Sequence, residues 1–137
     1  MLSVTPYLTF NGNCVEAMNF YHQALGGELR IQKVNETPAR DQMSAESQDK
    51  VMHASLSIDG NYFLMATDLT PPNIVQGNMI ALCVNCETRE EIETVFAKLS
   101  VGAQQTHPLK DEFWGDTYGE VIDKYGYRWM LNYHKMS

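Results

Sequence analysis

The sequence predicts an α+β fold in which two βαβββ modules form a curved mixed sheet around a cleft. The main observation is a repeat: each half of the 137-residue chain reads as strand, helix and strand, followed by two strands joined by a tight turn. A second observation is that apolar residues recur at helical spacing in the helices and alternate in the strands. We predict one domain at 1–137, with module one at about 1–69, a linker at about 70–77 and module two at about 78–137.

The first predicted helix runs from Asn13 to Leu25 and has signals at both ends. Asn13 followed by Glu16 is a capping-box pattern, in which both side chains bond free backbone N–H groups. Gly26-Gly27 ends the helix, because glycine accepts the left-handed conformation found there. The apolar stripe comprises Ala17, Met18, Tyr21, Ala24 and Leu25.

The second predicted helix, Thr88 to Leu99, has the same start and end signals. Thr88 and Glu91 form the capping box, and Gly102 follows the helix. Its apolar stripe comprises Ile92, Val95, Phe96 and Leu99. Each helix therefore has one apolar face, which must lie against a sheet.

Alternation along the strands sorts their residues into two faces. The set predicted to pack under the helices is Leu8, Phe10, Met52, Ala54, Leu56, Ile58, Phe63, Met65, Ile80, Leu82, Val84, Trp129, Leu131 and Tyr133. The opposite set is Tyr7, Thr9, His53, Ser55, Ser57, Tyr62, Leu64, Met79, Ala81, Cys83, Arg128, Met130 and Asn132. This second face is half polar, which suits either a ligand cleft or an ordinary solvated sheet face.

The stretch from Asn35 to Lys50 has no apolar period and is predicted to be a mobile loop. It either covers the cleft as a lid or connects two strands without further function. Thr70-Pro71-Pro72 and the residues up to Gly77 are predicted to be the linker between the modules.

Composition excludes several classes of protein. The net charge is −7 without a basic stripe, so nucleic-acid binding is not expected. No apolar run approaches the roughly 20 residues of a membrane helix, and residues 1–6 lack the pattern of a signal peptide. Three cysteines form no disulfide framework. We therefore expect a cytoplasmic protein with reduced thiols.

The sequence contains, in this order, the motifs Asn11-Gly12-Asn13-Cys14, Phe20-Tyr21, Leu25-Gly26, His53-Ala54, Leu56, Ile58-Asp59-Gly60, Phe113-Trp114-Gly115, Tyr118-Gly119, Asp123, Tyr125-Gly126 and Trp129. This series of motifs is similar to that of PhnB-like proteins. These belong to the vicinal oxygen chelate superfamily, with the glyoxalases, bleomycin-resistance proteins and extradiol dioxygenases. The resemblance implies paired βαβββ modules and a homodimer, but no particular reaction. Some members carry a ubiquinone methyltransferase label, although this sequence has no glycine-rich nucleotide loop after a strand.

The resemblance also implies where a catalytic metal would be held. In metal-dependent relatives, His, Gln or Glu side chains from equivalent strands of both modules bind one divalent ion. The corresponding positions here are Thr5 or Pro6, about Leu64, Met79 and Met130. Hard divalent cations need oxygen or imidazole ligands, which leucine and methionine do not supply. We therefore expect neither a catalytic metal nor another cofactor.

His53 and Glu120 are the candidate catalytic residues. His53 alternates with apolar neighbours and so faces the cleft, where an imidazole suits general-base catalysis or hydrogen bonding to a substrate. The alternative is a structural imidazole bonded to a neighbouring strand. Glu120 precedes or enters the seventh strand and could act as an acid or base. The candidate ligand-binding residues are Tyr7, Ser55, Tyr62, Met79, Trp114, Tyr118, Arg128 and Met130.

The cysteines are predicted to be structural. Cys83 and Cys86 form a C-x-x-C motif, but zinc would need two further ligands at suitable spacing. Three positions apart on a strand, they lie on opposite faces, and we expect Cys83 to pack in the core. Cys14 lies in the first helical turn, where the helix dipole lowers the pKa of a thiol, but packing is again the expected role.

Three functions remain open. The first is a protein that binds a small organic molecule in the cleft without the usual metal. The second is an enzyme, either metal-independent with His53 and Glu120 as proton carriers or a divalent-metal-dependent lyase or dioxygenase of the same superfamily. The third is a structural or regulatory dimer. The expected partners are a small-molecule ligand and a second copy of the chain, with neither nucleic acid nor membrane.

Overall fold

The computed structural model describes residues 2–71 and 73–135. Met1, Met136 and Ser137 lie outside the described residues, as does Pro72 of the predicted linker. The chain divides into two compact units, Met1–Ile74 and Val75–Ser137. The division between them falls within the predicted linker at 70–77.

The first unit is a four-stranded mixed sheet with one α-helix. The strands lie in the order β1-β4-β3-β2, with β1 parallel to β4 and the other pairs antiparallel. Three short 3-10 helices occupy the connection between β2 and β3: Val34–Glu36, Pro38–Gln42 and Ala45–Ser47. The main elements are β1 (Tyr7–Thr9), α1 (Cys14–Leu25), β2 (Glu28–Lys33), β3 (Val51–Ile58) and β4 (Asn61–Thr67).

The second unit repeats this topology. Its strands lie in the order β5-β8-β7-β6, with β5 parallel to β8 and the other pairs antiparallel. The α+β fold with two βαβββ modules is therefore confirmed. The elements are β5 (Leu82–Cys86), α2 (Arg89–Leu99), β6 (Gln105–Asp111), β7 (Asp116–Ile122) and β8 (Arg128–His134).

Helix α1 packs its apolar face on β2, β3 and β4. One predicted face is wrong here: Leu64 is only 1% exposed and belongs to the core, whereas Phe63 and Met65 do not. The register of β3 against β4 shifts between Leu56 and Ser57, which places Leu64 directly opposite Leu56. An extra residue at such a bulge reverses the alternation that simple counting from the hairpin predicts. The core residues of this unit include Leu8, Cys14, Ala17, Met18, Tyr21, Ala54, Leu56, Leu64 and Ala66.

The start of α1 is capped from a distant part of the chain. The Asn13 side chain makes no capping hydrogen bond, so the predicted capping box is absent. Instead, Oδ1 of the buried Asp68 accepts hydrogen bonds from the backbone N–H groups of Gly12 (2.8 Å) and Cys14 (3.1 Å). Its Oδ2 accepts from the N–H of Val51 at 2.9 Å. One carboxylate thus ties the helix start to the beginning of β3.

Helix α2 begins largely as predicted. Thr88 Oγ1 accepts from the N–H of Glu91 at 3.0 Å, and Glu91 Oε1 in turn accepts from the N–H of Glu87 at 2.9 Å. The helix packs on β5, β7 and β8. The core of this unit includes Cys86, Ile92, Val95, Leu99, Val121, Trp129 and Leu131.

Strand β5 is shorter than predicted, and this changes two assignments. Its pairing with β8 begins at Leu82, and Met79 and Ile80 before it are 96% and 80% exposed. Cys83 is exposed and Cys86 is buried, the reverse of the expected packing. The register explains this, because Leu82 lies opposite the buried Trp129 and the next residue must face the other side.

The segment after β2 is organised by hydrogen bonds. The N–H groups of Val34 and Asn35 donate to the carbonyls of Lys50 (2.9 Å) and Gln48 (3.0 Å), which closes the segment at its base. Gln48 Nε2 donates to three backbone carbonyls within it, at 3.0–3.2 Å. The segment is therefore folded into short helices, and its mobility and role as a lid stay predictions.

Within residues 2–71 and 73–135, the helices are too short and too polar for any of them to cross a lipid bilayer.

Candidate functional site

The side of the second sheet that faces away from α2 carries a half-polar set of side chains, here called the second open face. Four of them form a row across all four strands: Cys83 lies opposite Met130, Met130 opposite Glu120, and Glu120 opposite His107. Residues paired across strands project from the same side of a sheet. The rows on either side contribute Gln105, Ile122, Arg128, Asn85, Asn132 and Tyr118.

A cavity of about 340 Å³ lies at the Arg128 end of this face, and we call it the second-unit pocket. Its volume is within the range of about 300–1,000 Å³ that is usual for small-molecule sites. Strands β6, β7 and β8 all contribute to it, together with one residue that precedes β5. The lining residues are Asn78, Gln105, His107, Glu120, Val121, Ile122 and Arg128.

An ion pair forms one wall of the pocket. Arg128 Nη2 donates to Glu120 Oε1 at 3.1 Å, and both side chains are 30% exposed. The second terminal nitrogen of Arg128, Nη1, donates to the backbone carbonyl of Asn78 at 2.8 Å. The guanidinium is thus held from two directions, which fixes where its remaining N–H groups point.

Strand β6 supplies two more polar groups. The Nε2 atoms of Gln105 and His107 lie 3.1 Å apart, within hydrogen-bonding distance. Next to the pocket, burial and the charge of Glu120 raise the pKa of Tyr118. The Tyr118 hydroxyl therefore keeps its proton at neutral pH and can donate a hydrogen bond.

The first sheet has its own half-polar face on the side away from α1. Tyr7, Met65, Ser55 and Arg30 form a row across it. The hydroxyl of Tyr7 lies 3.2 Å from Nδ1 of His53, and the two rings are tilted with centroids 5.9 Å apart. Burial, with a smaller contribution from Cys14, raises the pKa of Tyr7, so this phenol is also protonated at neutral pH.

The structure groups most of the predicted site residues in two places. Tyr7, His53 and Ser55 lie together in the first unit, and Tyr118, Glu120, Arg128 and Met130 share the second open face. The remaining three lie apart from both sets. Tyr62 is 61% exposed next to the hairpin, Met79 is 96% exposed before β5, and Trp114 is 55% exposed in the β6–β7 turn against Phe113.

Five lining residues were missed by the sequence analysis: Asn78, Gln105, His107, Val121 and Ile122. His107 precedes a proline, which weakens the strand signal. The pairing of β6 with β7 also shifts between His107 and Lys110. The polar and apolar positions of β6 therefore do not alternate in a way that the sequence reveals.

The positions implied for a catalytic metal do not fit a divalent ion. Leu64 is buried in the core of the first unit, Met79 is exposed outside β5, and Met130 offers only a thioether. In the part of the chain that the structure describes, no three His, Cys, Asp or Glu side chains are grouped to hold a metal ion.

The buried cysteines are poor nucleophiles. Burial, helped by the charge of Asp68, raises the pKa of Cys14 to about 12, which overrides the predicted effect of the helix dipole. Burial and the nearby Glu91 raise the pKa of Cys86 to about 11. Both thiols are therefore protonated at neutral pH, and thiolate chemistry is not available to them.

Comparison with known proteins identifies the family. A family model described as 3-demethylubiquinone-9 3-methyltransferase matches residues 2–132. The chain belongs to this family, which includes the PhnB-like proteins. Protein YjdN from Escherichia coli (strain K12) is 30% identical over 146 aligned residues, which cover 99% of this chain and 98% of YjdN.

Solved structures agree with this assignment. Protein PA1353 from Pseudomonas aeruginosa is 34% identical, with a TM-score of 0.84 over 99% of this chain and 100% of its own. A PhnB protein from Bacillus cereus, described as a putative 3-demethylubiquinone-9 3-methyltransferase, is 31% identical, with a TM-score of 0.73 over 96% of this chain and 99% of its own. The PhnB-like resemblance is therefore confirmed.

A more distant structure shows the fold alone. A glyoxalase/bleomycin resistance protein/dioxygenase family enzyme from Burkholderia phytofirmans PsJN is 11% identical, with a TM-score of 0.64 over 96% of this chain and 97% of its own. The fold is thus that of the glyoxalase and bleomycin-resistance proteins.

Proposed function

We propose that this chain is a binding protein for a small polar organic molecule, which it holds in the second-unit pocket. The observation that carries this proposal is the cavity of about 340 Å³ with the fixed Arg128–Glu120 ion pair in its wall. Concave sites with a few oriented polar groups are the usual form of small-molecule sites.

Binding is favoured over catalysis by what the pocket contains. The Arg128 guanidinium, the protonated Tyr118 hydroxyl nearby and the side chains of Gln105 and Asn78 are hydrogen-bonding groups that orient a ligand. Glu120, the predicted acid or base, is already bonded to Arg128. Its first task is therefore to position the guanidinium.

Methyl transfer, which the family description names, is not part of this proposal. A methyltransferase must hold a methyl donor, and nucleotide-type donors are commonly bound by a glycine-rich turn between a strand and a helix. Here β1 reaches α1 through residues 10–13, which contain one glycine, and β5 reaches α2 through residues 87–88, which contain none. Neither connection resembles such a turn.

The Tyr7–His53 contact favours a second candidate, a metal-independent enzyme. A tyrosine hydroxyl 3.2 Å from an imidazole nitrogen is an arrangement that can pass a proton. In this alternative, His53 is the proton carrier and Ser55, on the same face, contacts the substrate.

The free thiols favour a cytoplasmic location for the protein. All three cysteines are unbonded to one another, and disulfides are rare in a reducing compartment. We propose this location together with the binding function.

The binding proposal is tested by NMR titration of the protein with single-ring fragments that are uncharged, anionic or cationic. We expect amide shifts centred on residues 105–107, 120–122 and 128 for at least one class. Ile122→Trp fills the cavity from its wall, so it should weaken binding at least about 10-fold, a loss of about 1.4 kcal/mol.

Val101→Trp is the matched control for that variant. Val101 is 61% exposed in the turn after α2 and is not among the pocket-lining residues, so the same bulky side chain is added to the unit without filling the cavity. Fragment binding that survives Ile122→Trp, or that is lost equally in Val101→Trp, would show that the pocket is not the binding site.

A further inference from the structure

We infer that the ligand of the second-unit pocket is an uncharged molecule that carries a hydrogen-bond donor and an acceptor side by side, such as the cis-amide of a lactam or cyclic imide. This inference rests on the proposed function and adds the chemical class of the ligand. It starts from the charge balance of the pocket.

The pocket contains a balanced ion pair. Arg128 and Glu120 lie 3.1 Å apart at their closest atoms, and their charges cancel. An anion that approaches the Arg128 guanidinium also approaches the Glu120 carboxylate, which repels it. A cation that approaches Glu120 is likewise repelled by Arg128. Because Coulomb energies at such short distances are similar in size and opposite in sign, neither anion nor cation gains much from the pair.

The same pair offers a donor and an acceptor next to each other. The hydrogen bonds found for Arg128 among the described residues use two of the five N–H groups of a guanidinium. The bond to Glu120 uses one of the acceptor sites of its carboxylate. An edge with an adjacent N–H and C=O can donate to Glu120 while it accepts from Arg128.

A ligand with only one of these groups binds less well. A ligand with only acceptors would displace water from the Glu120 carboxylate without giving it a new hydrogen bond. A ligand with only donors would do the same to the Arg128 guanidinium. Leaving a covered polar group without a partner is costly, and most so for a charged group. The geometry of the pair therefore selects for both groups on one ligand edge.

Most of the remaining wall consists of amide and aliphatic side chains. Gln105 and Asn78 are amides, which both donate and accept, and the Nε2 atom of His107 lies 3.1 Å from that of Gln105. Ile122 adds an aliphatic surface. A cavity of about 340 Å³ admits a compact ring with a polar edge.

The experiment compares four probes of similar size by NMR titration at pH 8 and low salt: 2-piperidone, valerate, cyclohexanone and piperidinium. We expect 2-piperidone to shift the pocket amides with an affinity at least about 10-fold higher than the other three.

Glu120→Gln should invert this preference. The substitution removes the negative charge and leaves the Arg128 guanidinium without its counterion. Valerate should then bind about 10-fold more tightly than to the parent protein, and 2-piperidone several-fold more weakly. Arg128→Gln removes the opposite charge and should raise the affinity for piperidinium instead. The inference can therefore still be tested if one of the two variants fails to fold.

Glu28→Gln is the matched control. Glu28 pairs with Arg30 at 3.2 Å on the first sheet, and both side chains are exposed. The same change in net charge there should leave all four affinities unchanged. If Glu28→Gln and Glu120→Gln changed the affinities equally, the overall charge of the protein would explain the effect, and the inference would be overturned.

Two further outcomes separate the inference from the proposed function. If valerate shifts the pocket amides of the parent protein more strongly than 2-piperidone, the pocket is an anion site, and the inference fails while the binding function stands. If none of the four probes and no fragment in the wider set shifts these amides, the binding function fails with it.

Discussion

Asp68 is a buried residue whose contacts join the start of α1 to the beginning of β3, two parts of the first unit that are far apart in the sequence. It is 2% exposed, and its two oxygens accept from the backbone N–H groups of Gly12, Cys14 and Val51. The Cys14 N–H belongs to the first turn of α1, where the helix has no internal partner for it, and the Gly12 N–H lies just before the helix. The carboxylate also lies at the positive end of the helix dipole, which favours a negative charge there.

Asp68→Asn should therefore destabilise the protein by about 1–3 kcal/mol, because an amide can offer only one acceptor oxygen to the three backbone N–H groups that donate to the carboxylate. Urea denaturation followed by circular dichroism measures this free energy of unfolding. Asp41→Asn is the control, since the Asp41 side chain is 84% exposed in a weak pair with Arg40, and its cost should stay below about 0.5 kcal/mol. Equal stabilities of the two variants would contradict the capping role.

His53 distinguishes a functional from a structural role for the half-polar face of the first sheet. Its known contact is with the Tyr7 side chain, which is half exposed. His53→Ala should thus change the free energy of unfolding by less than about 1 kcal/mol, because water replaces a partly exposed hydrogen bond at little cost. It should instead alter binding of a ligand to this face, read from the amides of Ser55 and Met65 in the same titrations.

The opposite pattern would identify His53 as a structural imidazole. A loss of about 1–3 kcal/mol, with ligand binding unchanged, is the size expected when a satisfied buried group loses its partner. Tyr7→Phe helps to distinguish these cases, because it removes the same hydrogen bond while keeping the ring.

At the scale of elements, the buried residues of helix α1 include a thiol, that of Cys14, as well as apolar side chains. The pKa of Cys14 is raised from 9.0 to about 12 in the folded protein. The folded state therefore keeps the proton where the unfolded state releases it. Stability from this group is fully present below pH 9 and is lost as the pH rises from about 9 towards 12.

The free energy of unfolding should accordingly fall between pH 9 and pH 11, and Cys14→Ala should make that fall shallower. Both slopes come from urea denaturation at pH 8, 9, 10 and 11. Cys83→Ala is the control, because Cys83 is exposed and no buried thiol is removed. A slope that Cys14→Ala leaves unchanged would show that the Cys14 thiol does not titrate differently in the two states.

Helix boundaries and helix stripes could be predicted from the sequence, whereas the start of β5 and several strand faces could not. Periodicity places α1 and α2 correctly because each helix carries its own apolar stripe. Leu64 was placed on the wrong face because the bulge beside Leu56 depends on pairing with a second strand. The Asp68 cap was missed for a similar reason, since its partners lie 17–56 positions away in the sequence.

The candidate site was predictable only in part. Arg128 and Met130 were found because β8 alternates regularly, whereas Tyr118 and Glu120 were chosen for the chemistry of their side chains. His107 and Gln105 were missed because the register of β6 shifts after His107. Met79 was included because an apolar residue before a strand looks like part of it, and only the pairing shows that β5 begins at Leu82.

At the scale of the whole molecule, the family resemblance leads us to propose a homodimer. Several large apolar side chains of the second unit are exposed in the single chain, including Met79, Ile80, Phe113 and Trp114. Exposed apolar groups of this size are candidates for a subunit contact. Light scattering after size-exclusion chromatography should give twice the chain mass of 15.6 kDa.

Phe113→Ser combined with Trp114→Ser should weaken that dimer if the β6–β7 turn is part of the contact. Val101→Ser is the control, as an exposed apolar residue of the same unit outside the turn. A stable monomer of the parent protein at micromolar concentration would contradict the homodimer itself.

The central claim is that the second-unit pocket binds an uncharged ligand through the Arg128–Glu120 pair. A crystal structure of the protein saturated with 2-piperidone tests it most directly. The account predicts the lactam in this pocket, with its N–H donating to Glu120 and its carbonyl accepting from Arg128, each at about 2.7–3.0 Å. An empty pocket with the lactam bound elsewhere, or a lactam that contacts neither side chain, would contradict it.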